Sequence, residues 1–422
     1  MLRKTLFDVL IQLSGAGALG IKCPILCKQD NEILQLAMEQ HVLPLLACAA
    51  LRSPGQLFKD DVENYLLELM RTQAARNILR NQRVLHLIKE MENAGFSIIV
   101  LKGCSVSYLY AYPESRDSVD ADLLIKPEQE QEVYRFLKQH GFSISGRTMT
   151  ANDSVCEHKK YGKIEIHVSL YPEITQKAWK MINEKSFLPR ESNVRINTPN
   201  GSFETLGYTE QLIFLSLHMA KHFVESGMTI RMMLDIALHY ARYKNEIDTG
   251  RYWHLLNELH LDSYIACVLW ILVQNKVFAK EDFPGLVSVD DAQIDALISD
   301  VLQGGYMGAK EAQERHEAGM EYHRQLMMKT QSRTQYKMYM LGWKVRSGIR
   351  NMFPSYTKLK KIYPLVAERH WIALPMWGYH ALTFPVKKIK AGVLQQDIRN
   401  DGVNIHEVSR KRVQLFEKLN ML

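Results

Sequence analysis

The sequence has few cysteines for its length, and their spacing is irregular. Six cysteines are scattered through 422 residues. Cys23 and Cys27 have a spacing that suits a metal site, but no second pair follows to complete one. The absence of a regular framework excludes a small disulfide-stapled secreted domain, so we expect free, buried thiols in a cytoplasmic protein.

Long apolar runs are also missing. The longest, YIACVLWILV at Tyr264 to Val273, is about half the length that a membrane-spanning helix needs. In the N-terminal segment, Asp8 and Gln12 interrupt the apolar stretch, which favours an amphipathic helix over a signal peptide. The sequence contains neither internal repeats nor low-complexity segments. We therefore expect a soluble protein with at most a peripheral contact to a membrane.

The chain does have enough apolar material for large cores, together with a slight excess of positive charge. Hydrophobic residues make up 46% of it, which suffices for two or three domains. Lys and Arg number 53 against 46 Asp and Glu, and the formal net charge is +7. This mild basicity is consistent with an anionic partner.

Hydrophobic periodicity divides the chain into four regions. Residues 1–95 have helical spacing, and segment 60–95 is predicted as one long amphipathic helix. Residues 96–206 alternate short strand-like and helical segments. Residues 207–330 return to helical spacing and would form a wall of a cleft, whereas residues 331–422 form a basic, aromatic-rich helical region. The predicted fold class is α+β: a small mixed-sheet (α/β) core flanked by N-terminal and C-terminal helical regions.

Two acids mark the start of a strand that should enter the core. Asp120 and Asp122 head the segment DADLLIK, so their side chains point to the same face. Glu165 lies in a second alternating strand, KIEIHV. If the two strands are neighbours, three carboxylates converge, and a divalent cation such as Mg²⁺ would relieve their repulsion. The alternative is that Asp120 and Asp122 lie on the solvated face of an edge strand.

A Lys-Gly pair stands upstream, between a predicted strand and a predicted helix. Gly103 would let the backbone approach a phosphate closely, and the helix N-terminus would offer free N–H groups. Lys102 would add a positive charge. The ordered set of strand, Lys-Gly turn, Arg116, the two acids and the later Glu165 is much more specific than a lone D-x-D pair.

This ordered set resembles the nucleotidyltransferase fold of the DNA polymerase β superfamily, and more closely the bacterial family of uncharacterised nucleotidyltransferases. The likeness rests on VLKG, RDSVDADLLI, IEIHV, HMAKHF and RMMLDIALH. It implies an enzyme that moves an NMP from an NTP to an unidentified hydroxyl or phosphate acceptor and releases pyrophosphate. It also implies that Asp120, Asp122 and Glu165 are the catalytic carboxylates. Asp120 and Asp122 would hold Mg²⁺ (or Mn²⁺), and Glu165 would be a third ligand or the base that activates the acceptor hydroxyl.

The same resemblance implies a set of nucleotide-binding residues: Lys102, Gly103, Ser105, Arg116 and Lys221. For Lys221, the residues alone slightly favour a solvated lysine over a triphosphate contact, and the resemblance makes the two interpretations equal. Arg231 and Asp235 stand four residues apart on one predicted helix. That spacing predicts an intrahelical ion pair.

Three histidines accompany these segments. His167 follows Glu165 by two residues and shares its face of the strand. It would contact substrate or metal, or hydrogen-bond a neighbouring carboxylate. His218 and His222 lie four residues apart on one helix face, a spacing that can bind zinc. The glutamate of the H-E-x-x-H motif is missing, which favours a structural or substrate-facing role.

The C-terminal region contains a strongly basic stretch. Residues 329–367 include nine Lys or Arg, no Asp or Glu, and several interleaved aromatic residues. Such a stretch can lie on an anionic membrane surface or follow a nucleic-acid backbone, or it can pack its aromatics and solvate its charges. The apolar segment HWIALPMWGYHALTF that follows favours packing or an interfacial contact.

Two functions other than catalysis are also consistent with the sequence. The Gly-Cys-Ser sequence of the turn and the basic stretch would also suit a non-catalytic nucleotide- or nucleic-acid-binding protein on the same fold. The resemblance also suggests a membrane-peripheral partner in cell-envelope polysaccharide assembly. The sequence specifies neither the acceptor, nor the NTP, nor the oligomeric state.

Overall fold

A computed structural model describes most of the chain: residues 2–23, 25, 30–118, 120–145, 153–170, 193–304, 370–383 and 405–422, with isolated positions 318, 319, 321, 322, 325, 359, 363 and 366. Apart from the last three of those positions, the basic stretch 329–367 lies outside the described residues. The chain divides into two compact units, Met1–Gly319 with Arg412–Leu422, and Met320–Lys411.

Four helices open the first unit: α1 (Leu2–Leu19), α2 (Asp30–Glu39), α3 (Leu43–Arg52) and α4 (Asp60–Asn93). Helix α4 is the predicted long helix. It begins with Asp60, Asp61 and Glu63, which complement the positive end of the helix dipole. Helices α1 and α3 pack so closely that a Cβ on Gly17 would lie 1.9 Å from the carbonyl oxygen of Leu45. Only glycine permits this contact.

A seven-stranded mixed sheet follows, interrupted by the short helix α5 (Cys104–Ser107) and by α6 (Glu130–Gln139). The strand order is β3-β4-β5-β2-β1-β7-β6. The pairs β2–β5 and β1–β7 are parallel and the others antiparallel. The strands are β1 (Ile98–Val100), β2 (Asp120–Ile125), β3 (Ser143–Ser145), β4 (Asp153–His158), β5 (Gly162–His167), β6 (Val194–Thr198) and β7 (Gly201–Thr205).

This sheet confirms the predicted fold class, and it decides between the two interpretations of β2. Strand β2 lies between β5 and β1 in the interior of the sheet, so the edge-strand alternative is wrong. One face of β2, with Ala121, Leu123 and Ile125, joins a core that also contains apolar residues of α4 and α6. The opposite face is left for the carboxylates.

Five helices follow the sheet: α7 (Tyr208–Glu225), α8 (Ile230–Arg242), α9 (Thr249–Glu258), α10 (Asp262–Gln274) and α11 (Asp291–Gly304). Helix α10 is apolar around its whole circumference and is buried. Among the described residues, no helix is both long and apolar enough to cross a membrane. The five cysteines that the structure describes are free and buried, in agreement with the prediction of reduced thiols.

The second unit is described over a short 3₁₀ turn, His370–Ile372, and the helix α12 at 373–383 that follows it. Ala373 of α12 packs with Leu359 and Val366, and the half-buried Tyr363, Met376 and Trp377 surround this small core.

The last helix, α13 (Ile405–Lys418), carries Arg412. The Arg412 guanidinium hydrogen-bonds both carboxylate oxygens of Asp300 in α11, at 2.9 and 3.0 Å.

Candidate active site

The parallel pairing of β2 with β5 brings the predicted acids together. In this register Asp120 is opposite Lys163, Asp122 is opposite Glu165, and Leu124 is opposite His167. Because side chains alternate along a strand, the polar members of both strands share one face of the sheet. The expected convergence of Asp120, Asp122 and Glu165 is thus confirmed.

Asp122 is the buried centre of this cluster. Its Oδ1 lies 3.0 Å from Nε2 of His167, and its Oδ2 lies 3.3 Å from Nζ of Lys102. Burial alone would raise the pKa of Asp122, but the charge of Lys102 and the hydrogen bond with His167 outweigh it and lower that pKa. Asp122 is therefore ionised, and His167 makes the carboxylate contact that was one of its two predicted roles.

Glu165 and Asp120 are bridged by a second lysine. Lys163 donates a hydrogen bond to Oε1 of Glu165, and its Nζ lies 3.8 Å from Oδ2 of Asp120. Nζ of Lys102 lies at the same distance from that Asp120 oxygen. Oε2 of Glu165 is 3.9 Å from Nε2 of His167.

These contacts close a ring in which bases and acids alternate. We call it the charge ring; its members, in order, are Lys102, Asp122, His167, Glu165, Lys163 and Asp120. The prediction from sequence included five of the six and missed Lys163. Its position two residues before Glu165 places Lys163 on the same face of β5, but that spacing alone does not distinguish it from a solvated lysine.

The Lys-Gly turn lies directly beside the acids. Leu101 donates its N–H to the carbonyl oxygen of Asp122 at 2.9 Å. Gly103 has φ +76°, and a Cβ there would lie 3.3 Å from the carbonyl oxygen of Asp120. Glycine is thus needed for both its backbone angle and its close approach. Ser105 is buried and accepts a 3.4 Å hydrogen bond from Gln211 of α7.

Arg116 lies in a buried ion pair. Its Nε and Nη2 donate to Oδ1 and Oδ2 of Asp235, each at 2.7 Å, and Tyr110 donates to the same Oδ1. The predicted pair between Arg231 and Asp235 is therefore wrong, because the guanidinium fork of Arg116 reaches Asp235 from the loop before β2. A contact between Arg116 and a triphosphate stays a prediction.

Two further arginines, which lie outside the predicted site, hold the loop that leads into β2. Arg231 of α8 donates a hydrogen bond to the carbonyl oxygen of Asp117. Arg80 of α4 donates one to the carbonyl oxygen of Ser118. Burial lowers the pKa of Arg80. No local pattern predicts Arg80, because it acts across 38 residues of sequence.

The predicted histidine pair lies on α7. The rings of His218 and His222 meet edge to face at 4.5 Å. Burial, together with the charges of Lys102 and Lys221, lowers the pKa of His218 well below its usual range and that of His222 to about 3. Gln211, two turns earlier on the same face of α7, donates to the carbonyl oxygen of Leu101, so this face looks toward the Lys-Gly turn. Both imidazoles are neutral at pH 7.

Residues 27–275 match the family described as "Uncharacterised nucleotidyltransferase". The chain belongs to this family. It is therefore a nucleotidyltransferase, an enzyme that transfers a nucleotidyl group, as the resemblance in the sequence implied. None of the curated proteins matches the chain.

Two solved structures align with part of this nucleotidyltransferase. The crystal structure of the lincosamide antibiotic adenylyltransferase LnuA with lincomycin bound is 17% identical; the alignment covers 37% of this chain and 94% of that one, with a TM-score of 0.26. The solution structure of the antibiotic-resistance factor ANT(2'')-Ia is 8% identical, with coverages of 44% and 91% and a TM-score of 0.32. At these scores the likeness carries no weight for substrate or mechanism.

The donor set of the nucleotidyltransferase fits a divalent cation. Among the described residues, one group of potential ligands has its donor atoms within 4.8 Å of one another: Asp122, Glu165 and His167. Two carboxylates and an imidazole suit Mn²⁺ well, and the carboxylates suit Mg²⁺. Asp120 of the predicted metal set lies beside this group, held by the two lysines of the charge ring.

Proposed function

We propose that this nucleotidyltransferase moves an NMP from an NTP to a hydroxyl or phosphate acceptor, releases pyrophosphate, and depends on Mg²⁺ or Mn²⁺. The observation that carries the proposal is the convergence of Asp120, Asp122 and Glu165 on one sheet face, beside the Lys102–Gly103 turn. Three carboxylates beside a turn that can approach phosphate closely are the groups that a metal-dependent transfer of a nucleotidyl group requires.

Asp122, Glu165 and His167 would hold the cation, with Asp120 as the adjacent carboxylate. Asp122 is ionised in the free protein, which is the state that a metal ligand requires. When bound, such a cation neutralises charge on the triphosphate and polarises its phosphoryl oxygens.

Glu165 is our assignment for the general base. Burial and the nearby charge of Asp122 raise its pKa, against the opposing hydrogen bond from Lys163. Because a bound cation would lower this pKa again, the assignment rests on the position of Glu165 beside Asp122 and His167. The acceptor hydroxyl gives its proton to Glu165, its oxygen forms the bond to the α-phosphorus, and the bond to the β-phosphate oxygen breaks.

Phosphate binding is assigned to Lys102 and to the backbone N–H groups of the turn at Gly103. Lys221, on the face of α7 that looks toward the Lys-Gly turn, is proposed as a further contact. Arg116 is better assigned a positioning role, because Asp235 already takes two of its donors.

The test uses NTPs labelled at the α-phosphate, Mg²⁺ or Mn²⁺, and a dialysed cell extract as the source of acceptors. We expect metal-dependent release of pyrophosphate and a labelled acceptor. Asp122→Asn should lower turnover by about 100-fold or more, whereas the exposed Glu132→Gln in α6 should not. Turnover that survives in both Asp120→Asn and Asp122→Asn would contradict the assignment. NTP binding without turnover would favour the non-catalytic alternative.

A second proposal, peripheral attachment to an anionic membrane, rests on the second unit. The face of the 370–383 segment turned to solvent is uncharged: Trp371, Leu374, Pro375, Gly378 and Leu382 recur at helical spacing. Trp371, Leu374 and Leu382 are 73%, 77% and 79% exposed. In sequence, lysines and arginines flank this face on both sides. Apolar anchors with basic flanks suit the surface of an anionic bilayer.

The test is flotation of the full chain with vesicles of neutral lipid, with and without about 30% anionic lipid. We expect attachment only to the anionic vesicles, and its loss in Leu374→Glu/Leu382→Glu. The same change at Leu51, an exposed leucine of the first unit, is the control. Equal flotation of the double variant would refute the membrane face, and so would binding of single-stranded nucleic acid in place of vesicles.

A further inference from the structure

The charge ring neutralises itself without a metal ion. Each of its bases lies between two acids, and each acid between two bases. Both oxygens of Asp122 face a base, His167 on one side and Lys102 on the other. Three carboxylates and two ammonium groups leave a single net negative charge when the imidazole is neutral. The two lysines therefore offset most of the attraction that the three carboxylates would exert on a divalent cation.

The two lysines differ from the other members of the charge ring in that their side chains can move out of it. A lysine ammonium is a point charge on a flexible stem, with no fixed geometry for its donors. The side chain of Lys163 is 35% exposed, which leaves it room to turn outward. The acids, by contrast, are fixed by the register of β2 and β5.

We propose that Lys163, together with Lys102, holds the place of the cation in the free enzyme, and that the triphosphate of the incoming NTP draws the lysines away and opens the carboxylates to the metal. The inference rests on the proposed function, and it adds an order of events. Metal and nucleotide bind cooperatively, and the free enzyme binds the metal weakly.

If Lys163 has this role, its removal should change the affinity for the metal and the affinity for the nucleotide in opposite directions. Removal of Lys163 takes away one of the two bases beside Glu165 and one of the two beside Asp120, so the free protein should bind Mn²⁺ more tightly. The same change removes a positive charge from the triphosphate, so NTP should bind less tightly in the presence of EDTA. If Lys163 only held Glu165 in position, its loss would weaken metal binding too. Coupling between two ligands at neighbouring sites is typically about 5- to 150-fold.

The experiment measures both affinities separately on the full chain. Electron paramagnetic resonance of free Mn²⁺ gives the metal affinity without nucleotide, and calorimetry in EDTA gives the affinity for an NTP analogue with an α,β-methylene bridge. We expect Lys163→Met to raise the Mn²⁺ affinity by about 10-fold and to lower the metal-free NTP affinity by about 5-fold. Lys163→Arg should behave like the wild type in both.

The matched control is Lys159→Met, which removes the same charge from an exposed position before β5. Little change is expected there. If Lys163→Met does not fold, Lys163→Gln gives the same two readings. Weaker Mn²⁺ binding in the Lys163 variant, or no change, overturns the inference and leaves the proposed function standing. Failure of the wild type to bind Mn²⁺ and NTP even when both are present together overturns the proposed function itself.

Discussion

Arg116 and Asp235 join the loop before β2 to helix α8 through two parallel 2.7 Å hydrogen bonds, both buried. Arg116 stands four residues before Asp120, so this pair fixes the loop from which the first carboxylate emerges. Arg231, on the same helix, supports the adjacent carbonyl oxygen of Asp117. The position of Asp120 thus depends on a helix that lies far from it in sequence.

The first prediction concerns this pair. Removal of either partner alone, in Arg116→Met or Asp235→Leu, leaves a buried charge without its counter-charge. We expect each to lower the free energy of unfolding by about 3–5 kcal/mol, measured by urea denaturation. The exposed pair Arg71 and Glu68 is the control, and Glu68→Ala should change stability by less than about 1 kcal/mol.

The double variant Arg116→Met/Asp235→Leu should cost clearly less than the sum of the two single changes, because no unpaired charge is left. The remaining loss reflects the Tyr110 hydroxyl, whose acceptor on Asp235 disappears. The double variant also tests the predicted phosphate contact. If the double variant recovers stability but not NTP affinity, Arg116 contacts the nucleotide directly. Its role in positioning the loop would then not explain the loss of affinity.

The second prediction concerns Gly103. Gly103→Ala places a Cβ 3.3 Å from the carbonyl oxygen of Asp120, at a positive φ that L-residues rarely adopt. We expect a loss of about 1–3 kcal/mol in the free energy of unfolding and a raised KM for NTP. Gly250→Ala is the control. Gly250 lies in α9 without a positive φ, so alanine should stabilise that helix slightly. Equal effects at the two positions would contradict the proposed role of the turn.

Local patterns were sufficient to predict the elements of the core and most of its site. The alternation in KIEIHV and the position of Asp120 and Asp122 at the head of a strand identified which side chains share a face. Whether the two strands are neighbours could not be read from either segment, because pairing is a long-range property of the sheet. The ordered motifs supplied that step through the family resemblance.

Residues that act over a distance could not be predicted. The spacing of Arg231 and Asp235 favours an intrahelical pair, yet the tertiary structure brings Arg116 to Asp235 instead. A buried double hydrogen bond outweighs a surface pair worth a few tenths of a kcal/mol. Lys163 reads as a solvated lysine on a strand of alternating pattern, and its role becomes visible only when β2 supplies Asp120 beside it.

The third prediction concerns acid stability and His239 of α8. Burial lowers the pKa of His239 to about 4, although the hydrogen bond to the carbonyl oxygen of Tyr208 opposes the shift. Between the ordinary value of 6.5 and about 4, the unfolded chain binds a proton that the folded chain does not. Stability is therefore lost as the pH falls through this window, by up to about 1.4 kcal/mol per pH unit.

Because His218 and His222 titrate in the same direction, the informative quantity is a difference between variants. Urea denaturation at a series of pH values from 7 to 4 should give a shallower loss for His239→Gln than for the wild type. Glutamine can still donate to the Tyr208 carbonyl. Parallel curves for the two proteins would show that folding does not lower the pKa of His239, contrary to its burial.

The fourth prediction separates two roles of His167, whose Nε2 lies 3.0 Å from Oδ1 of Asp122. As a metal ligand, its nitrogen favours Mn²⁺ over Mg²⁺, whereas an oxygen donor does not. His167→Asn should then weaken Mn²⁺ more than Mg²⁺ and shift the preference toward Mg²⁺. If His167 only orients Asp122, both affinities should fall by the same factor, about 10- to 100-fold. Calorimetric titration with each ion distinguishes the two, and unchanged affinities would exclude both roles.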